Sequence, residues 1–588
     1  MKQIRFSFFL RGILVAVALL GVTLFFLISL AENSSHFNSK TVSKLKRPIS
    51  PEEEQKLLAL ATPMLGPPSR LSKPRVVILG MDGLDHQYLD PLLKEGKLPN
   101  FKRIIERGAR GTLLSITPPS SAGAWPAMVT GCGPGKTGLL NFRSYNPSSR
   151  KIVLTDGRDL HRPALWDIVG LYGKKSITLN EPMSYPPHKI EGVLVSGLLA
   201  PEGKIYTYPE SLSPLLDAIG YKREAVPQGS GFFAPPSTLL IDLLLTEWKR
   251  SELALLLMEK TDWDLFFCMF SSTDRMMHHL GQHFTLKDFE KNLIEMDYIL
   301  GAFLNRLPEG ATLLLVSDHG FEMYPRQFSV PTWLEKEGYW VLPKKDLPHE
   351  TPTFRAMRFL KKLESRLDLP NIPFLRWPQS LQTHELQPHV DWAHTTAMSV
   401  ETGGNWGSIR VLKGEVEKGA LEREIAGKLS VLVDPETGKK VVEKVVKGKN
   451  IFPGPYQNEM PDLVFELSKE RADFAFSDTV FRGDPVYHHR KEGVLFAWGK
   501  HIQKGVLLPP SQITDITPTV LYLLELPIAE DLDGKVLESL FEPAPFSSEP
   551  PHRISRFPQQ KIEWIGSSDK KGTSQDVQEN LRSLGYLQ

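Results

Sequence analysis

From Arg75 onward the chain repeats one pattern: short, continuous apolar or β-branched runs separated by amphipathic stretches long enough to be helices. Candidate strands lie at 75–79, 192–195, 264–270, 312–316, 463–467 and 493–497, and helix-like stretches at 100–107, 239–259, 286–307 and 513–524. A strand that is apolar on both faces must be covered on both faces, and a helix between strands returns the chain to run in the same direction. The pattern therefore predicts an α/β fold, a largely parallel sheet flanked by helices on both faces. Ligands of such sheets sit beyond the carboxyl ends of the strands. Polar residues there are the ones to weigh.

The first strand runs into Leu79-Gly80-Met81-Asp82-Gly83, setting the Asp82 carboxylate at the carboxyl edge. Strand 264–270 runs into Ser271-Ser272-Thr273-Asp274-Arg275-Met276-Met277-His278-His279, where Asp274 and His278 stand four apart and share a helical face. Strand 312–316 delivers Ser317-Asp318-His319-Gly320. Adjacent Asp and His diverge on a regular strand, so a turn must aim this pair. His488-His489-Arg490 precedes strand 493–497, and the pair does not say which imidazole binds. Taken singly, each cluster has a plainer reading as a turn, a helix cap or a surface imidazole. Taken together, with one His from the last pair, they supply three Asp and three His, enough for two divalent ions with N/O coordination. His86, His279 and His488 read as bystanders.

Composition narrows the chemistry. Only two cysteines, Cys132 and Cys268, occur in 588 residues, which excludes a disulfide scaffold and an all-cysteine zinc site. A metal would have to be held by His and carboxylates. With 70 Lys+Arg against 68 Asp+Glu there is no basic field for gripping a nucleic-acid polymer.

A nucleophile is offered by Pro118-Pro119-Ser120-Ser121-Ala122-Gly123-Ala124-Trp125-Pro126, which reads as the entry to a short helix ended by Gly131. Ser121 at a helix N-terminus is either a plain cap or a hydroxyl placed where N–H groups and the helix dipole favour an anion, and where a metal can ionise it. The following Gly133-Pro134-Gly135-Lys136-Thr137 is no phosphate-binding loop of an NTPase, because Thr130 stands where that pattern needs glycine.

At the N-terminus, Lys2, Arg5 and Arg11 precede a charge-free run at 12–31, long enough to span a ~30 Å hydrocarbon core. It reads as a signal anchor, or as a signal peptide cut after Ala31. The flanking charges place the remaining chain outside the cytoplasm, periplasmic or extracellular, and secreted if the segment is cleaved. Residues 32–74 read as a proline-broken tether with one short helix at 52–61, 75–540 as the catalytic domain, 322–392 as an insertion over its active-site edge with an amphipathic piece at 353–367, and 541–588 as a tail with a short helix at 577–587.

With these pieces assembled, the chain resembles the alkaline phosphatase superfamily and, within it, the type I phosphodiesterase/nucleotide pyrophosphatase group. The resemblance rests on Val76 to Gly83, the Pro-Pro-Ser-Ser-Ala-Gly-Ala-Trp segment with Val129-Thr130-Gly131, the Ser-Ser-Thr-Asp-Arg…His run, Val316 to Gly320, His489-Arg490…Glu492-Gly493, Asn180 to Pro187 and Thr514 to Leu521. It implies that Asp82, Ser121, Asp318 and His319 surround one metal and that Asp274, His278 and His489 hold the other, with zinc in both. It further implies in-line attack by Ser121 on phosphorus and a phosphoryl-enzyme intermediate. Asn141 lies one position before the Asn that assists the phosphoryl oxygens in those enzymes, and is carried over as a candidate substrate contact. No counterpart exists for the Arg with which alkaline phosphatases clamp a monoester dianion, which favours diesters.

The expected function is thus a membrane-tethered two-metal phosphodiesterase or nucleotide pyrophosphatase acting on a small phosphate ester. A phosphomonoesterase, phosphonate hydrolase or phospho-headgroup transferase on the same site is the alternative. A binding protein of the cell envelope on an inactive scaffold is the non-enzymatic reading.

Overall fold

The computed structural model describes residues 46–69, 73–146, 151–224, 236–281, 284–342, 390–412, 414–542, 552–558, 561–566 and 581. The apolar run 12–31 and the amphipathic piece 353–367 lie outside them, as does the expected terminal helix 577–587 except for Leu581. Among the described residues no helix is long and apolar enough to cross a membrane.

A ten-stranded, mostly parallel sheet forms the middle layer. At its centre Arg75–Met81 pairs in parallel with Leu265–Phe270 on one side and Ala311–Val316 on the other. Ser176–Leu179 and Gly192–Val195 continue the parallel run, and Thr207–Tyr208 closes that edge antiparallel. On the opposite side Glu492–Trp498 lies antiparallel between Ala311–Val316 and Ala109–Leu114.

All residues of the three central strands are buried. Successive side chains alternate between two cores. Val77, Leu79 and Met81 share one with helices Pro236–Lys260 and Leu286–Arg306, while Val76 and Ile78 share the other with helices Ser121–Thr130 and Ile516–Leu523. Each fully buried Val, Leu, Ile or Phe contributes roughly 1.5–3 kcal/mol. The carboxyl ends of these strands are accordingly fixed points.

Two strands differ from the expected parallel arrangement. The strand expected at 493–497 runs antiparallel because the preceding Val486–Arg490 pairs with Gly320–Tyr324 at the carboxyl edge, so the chain enters the sheet from there. Leu463–Leu467 belongs instead to a separate antiparallel sheet of four strands, ordered Ala397–Gly403, Trp406–Val411, Leu463–Leu467, Val442–Lys447. A five-residue apolar run suits either setting.

The described part of the expected tether is docked on the body. Helix Pro51–Leu65 starts with a capping box between Ser50 and Glu53 and buries Leu57, Ala61 and Leu65. The expected insertion, 322–392, begins inside Gly320–Tyr324 and continues through Arg326–Ser329 and helix Val330–Lys336, with 343–389 outside the described residues.

Candidate metal centre and nucleophile

Asp82 follows Arg75–Met81 directly, its N–H donating to Phe270 O at 2.9 Å. Gly83 then turns with a left-handed φ of 70°, and a Cβ there would lie 2.6 Å from Phe321 Cε2 and 3.1 Å from Asp274 Cα, so the turn requires glycine. The same turn aims the Gly83 N–H at Asp318 Oδ1, 3.3 Å away. Asp274 lies in the first turn of helix Ser272–His278, and helical spacing brings His278 Nε2 within 3.3 Å of Asp274 Oδ1. Beyond Ala311–Val316, His319 Nε2 sits 3.2 Å from Asp318 Oδ2 and 3.6 Å from Asp82 Oδ1. The Ser317 hydroxyl, donating to His319 O, secures the turn that aims both side chains inward.

The antiparallel entry of Glu492–Trp498 explains how a residue before a strand reaches the same edge. His489 Nε2 lies 3.5 Å from Asp274 Oδ1 and 2.8 Å from His278 Nε2, and its ring stacks on His319 with centroids 3.6 Å apart. His488 instead accepts the N–H groups of Gly404 and His489 at Nδ1, at 3.2 and 2.9 Å. Ser121 is the first residue of helix Ser121–Thr130, after the extended N-cap Ser120. Its Oγ lies 3.1 Å from His319 Nε2 and 3.4 Å from Asp82 Oδ1.

These groups fit divalent cations. In each carboxylate one oxygen is held by a protein donor: Asp82 Oδ2 by Trp125 Nε1 at 3.2 Å, Asp274 Oδ2 by Arg275 Nη1 at 2.6 Å, and Asp318 Oδ1 by Gly83. The second oxygen of each faces imidazole Nε2 atoms, and the buried Asp318 Oδ2 receives no hydrogen bond. His319 Nδ1 and His489 Nδ1 each lie 3.2 Å from a backbone carbonyl, of Gly320 and Pro119. A carbonyl only accepts, so Nδ1 carries the proton and Nε2 presents its lone pair, the tautomer a metal ligand needs. Two overlapping sets have ligand atoms within 4.8 Å of one another: Asp82, Asp318 and His319, and Asp274, His319 and His489.

Electrostatics agree with the geometry. Asp82, Ser121, Asp274, Asp318 and His319 are all 0% exposed, so the carboxylates and imidazole among them are shielded from water. Burial, then the neighbouring Asp318 and Asp274, holds Asp82 well above the usual carboxylate range, and burial followed by Asp274 pushes Asp318 up to about 7. Burial acts on Asp274 too, but His278, then His489 and Arg275, outweigh it and hold that carboxylate well below its ordinary value. Burial, then His489, keeps His319 far below the usual imidazole value. A buried carboxylate cluster of this kind calls for compensating positive charge.

The Asn141 Oδ1 accepts from Phe142 N at 2.7 Å, and its backbone carbonyl accepts from Thr155 Oγ1 at 2.7 Å. Its loop touches helix Ser121–Thr130 through Leu140, whose carbonyl would lie 2.4 Å from a Cβ at Gly123. Sequence reading did not single out Trp125 or Arg275. Each carried a usable sign: Trp125 is one helical turn beyond Ser121, and Arg275 is adjacent to Asp274.

The sequence profile of the family described as type I phosphodiesterase/nucleotide pyrophosphatase matches residues 76–493. No curated protein sequence matches the chain. Among solved structures, phosphonoacetate hydrolase from Sinorhizobium meliloti 1021 in complex with phosphonoformate is 15% identical, with a TM-score of 0.49, covering 78% of this chain and 97% of that one. Murine ectonucleotide pyrophosphatase/phosphodiesterase 5 is 13% identical, with a TM-score of 0.45, covering 77% of this chain and 95% of that one. An inactive form of the murine protein in complex with AMP gives 13% identity and a TM-score of 0.46, covering 77% and 96%.

Proposed function

Because the chain belongs to the type I phosphodiesterase/nucleotide pyrophosphatase family, a family of phosphoester hydrolases, we propose that it is a two-metal phosphodiesterase or pyrophosphatase working through a phospho-Ser121 intermediate. The observation that carries this reading is the position of Ser121 Oγ, on the first turn of a helix and within 3.4 Å of both Asp82 Oδ1 and His319 Nε2. Asp82, Ser121, Asp318 and His319 would surround one ion, and Asp274, His278 and His489 the other. The mixture of imidazole and carboxylate suits zinc. When bound, two such ions supply the positive charge that ionises a serine hydroxyl at neutral pH and neutralises charge developing on phosphoryl oxygens.

In this mechanism the Ser121 hydroxyl loses its proton to solvent and Oγ forms a bond to phosphorus as the bond to the leaving oxygen breaks on the opposite side, the leaving oxygen taking up a proton from solvent. The first-turn N–H groups and dipole of helix Ser121–Thr130 favour the phosphoryl charge. Water then attacks phosphorus, the Oγ–P bond breaks, and a proton lost by the attacking water is taken up by Oγ, regenerating the Ser121 hydroxyl. The missing monoester-clamping Arg favours diesters over monoesters. Phosphomonoester, phosphonate and headgroup-transfer chemistry are the competitors on the same donors. An inactive scaffold would be expected to lack a ligand, whereas each position here carries a competent donor.

We propose in addition that residues 12–31 tether the catalytic domain to a membrane, on its non-cytoplasmic side. The support is the charge-free run flanked by Lys2, Arg5 and Arg11. Protease protection in sealed vesicles tests this, and N-terminal sequencing distinguishes an anchor from cleavage after Ala31. The substrate assignment is tested by comparing a bis-nitrophenyl diester, a nitrophenyl monoester, a nitrophenyl nucleotide and a phosphonate with the zinc-loaded protein. The reading predicts the highest kcat/KM on a diester or nucleotide. Preferred cleavage of the monoester or the phosphonate overturns it.

A further inference from the structure

Helix Ser121–Thr130 does more than present Ser121. Four residues on, on the same helical face, Trp125 is 0% exposed and donates its indole N–H to Asp82 Oδ2 at 3.2 Å. That contact leaves Asp82 Oδ1 toward Ser121 Oγ and His319 Nε2. The ring reaches this position only because residue 80 in the neighbouring strand is glycine: a Cβ there would lie 2.5 Å from Trp125 Cη2 and 2.9 Å from Cζ3. Phe267 meets the ring edge-on, at 5.9 Å between centroids. The indole is thus fixed by the sheet floor and by Phe267, and its polar atom is aimed at a candidate metal ligand.

We propose that Trp125 is a positioning residue: one rigid helix carries both the nucleophile and the hydrogen-bond donor that orients Asp82, so that the Ser121 hydroxyl and the Asp82 ligand oxygen keep a fixed relation. This rests on the two-metal reading given above. The donors to the other two carboxylates are a backbone N–H, from Gly83, and a charged guanidinium, from Arg275. Trp125 orients its carboxylate as a neutral side chain and adds no charge, so the Asp82 site depends on it for direction alone. Outer donors to metal ligands typically change metal affinity by 10–100-fold when removed.

The test is zinc titration of metal-stripped full chain, followed calorimetrically for wild type and Trp125→Phe, with thermal unfolding of both metal-free proteins. Phe keeps most of the ring and deletes the N–H. The expected result is a 10–100-fold loss of affinity at one of two zinc sites, with the other within about twofold of wild type. Replacing Trp125 with benzothienylalanine, which keeps ring size and lacks the N–H, should give the same loss; it also decides the matter if Phe proves poorly folded. Unchanged affinity at both sites in the benzothienyl variant overturns the proposal, and so does an equal loss at both sites. Failure of wild type to bind zinc would instead defeat the two-metal reading itself.

Discussion

Glu181 offers a perturbation whose size follows from its surroundings. It lies just past the strand Ser176–Leu179, is 2% exposed, and its Oε1 has no hydrogen-bond partner. Burial pushes its carboxyl from 4.5 up to about 8, against the pull of the Met183 N–H. The unfolded chain releases this proton near the ordinary value, while the folded chain retains it to about 8. Between those values the folded state binds more protons, so its stability is fully present below the lower value and is lost as pH rises through the upper one. At 1.36 kcal/mol per pH unit the whole window amounts to about 5 kcal/mol, an upper figure because local opening admits water. Glu181→Gln places a neutral isostere there and removes the titration. Urea denaturation of both full-length proteins at pH 5, 7 and 9 should show similar stability at pH 5 and a Gln variant more stable by several kcal/mol at pH 9. Parallel pH curves for the two proteins would show that Glu181 does not hold its proton in the folded state.

Gly404 has a φ of +58°, and a Cβ there would lie 1.9 Å from His489 O, so Gly404→Ala should displace the strand carrying His489 and reduce zinc stoichiometry in a calorimetric titration from two toward one. Arg275 is buried between Asp274, 2.6 Å away, and Glu224, 3.4 Å away; Arg275→Met should cost about 3–5 kcal/mol in denaturant unfolding, and adding Glu224→Gln should restore part of it. His489→Ala should abolish one zinc site and lower turnover at least about 100-fold, the order expected for losing a group that acts on transition-state charge. His488→Ala should keep both sites and lose only about 1–3 kcal/mol of stability through the two backbone N–H groups it leaves without an acceptor.

The alternation of apolar runs and amphipathic helices was enough to foresee a mostly parallel α/β sheet, because strands such as Leu265–Phe270 are buried on both faces and read that way. Strand direction at 493–497 was not legible. It is set by the pairing of Val486–Arg490 with Gly320–Tyr324, a contact spanning more than 160 residues. Nor does an apolar run name its sheet, as Leu463–Leu467 shows. At the site, Asp82, Asp274, His278, Asp318, His319 and His489 could be proposed because polar groups at the edge of an apolar sheet are costly and conspicuous. Trp125 escaped notice because an indole in an apolar helix reads as core until its N–H is seen to have a partner. His488 and His489 could not be separated by sequence, since adjacent residues of a strand point to opposite faces and the sequence does not say which face meets the site.

Attack by Ser121 on phosphorus within an Asp/His two-metal centre is the step on which the proposed function turns. The most direct measurement is elemental analysis of purified full chain, wild type beside Ser121→Ala, coupled to hydrolysis of a nitrophenyl phosphodiester by the same samples. The prediction is two divalent ions per chain in both proteins and turnover in wild type alone. A wild-type protein that holds no divalent ion, or a Ser121→Ala variant that retains turnover, would contradict it.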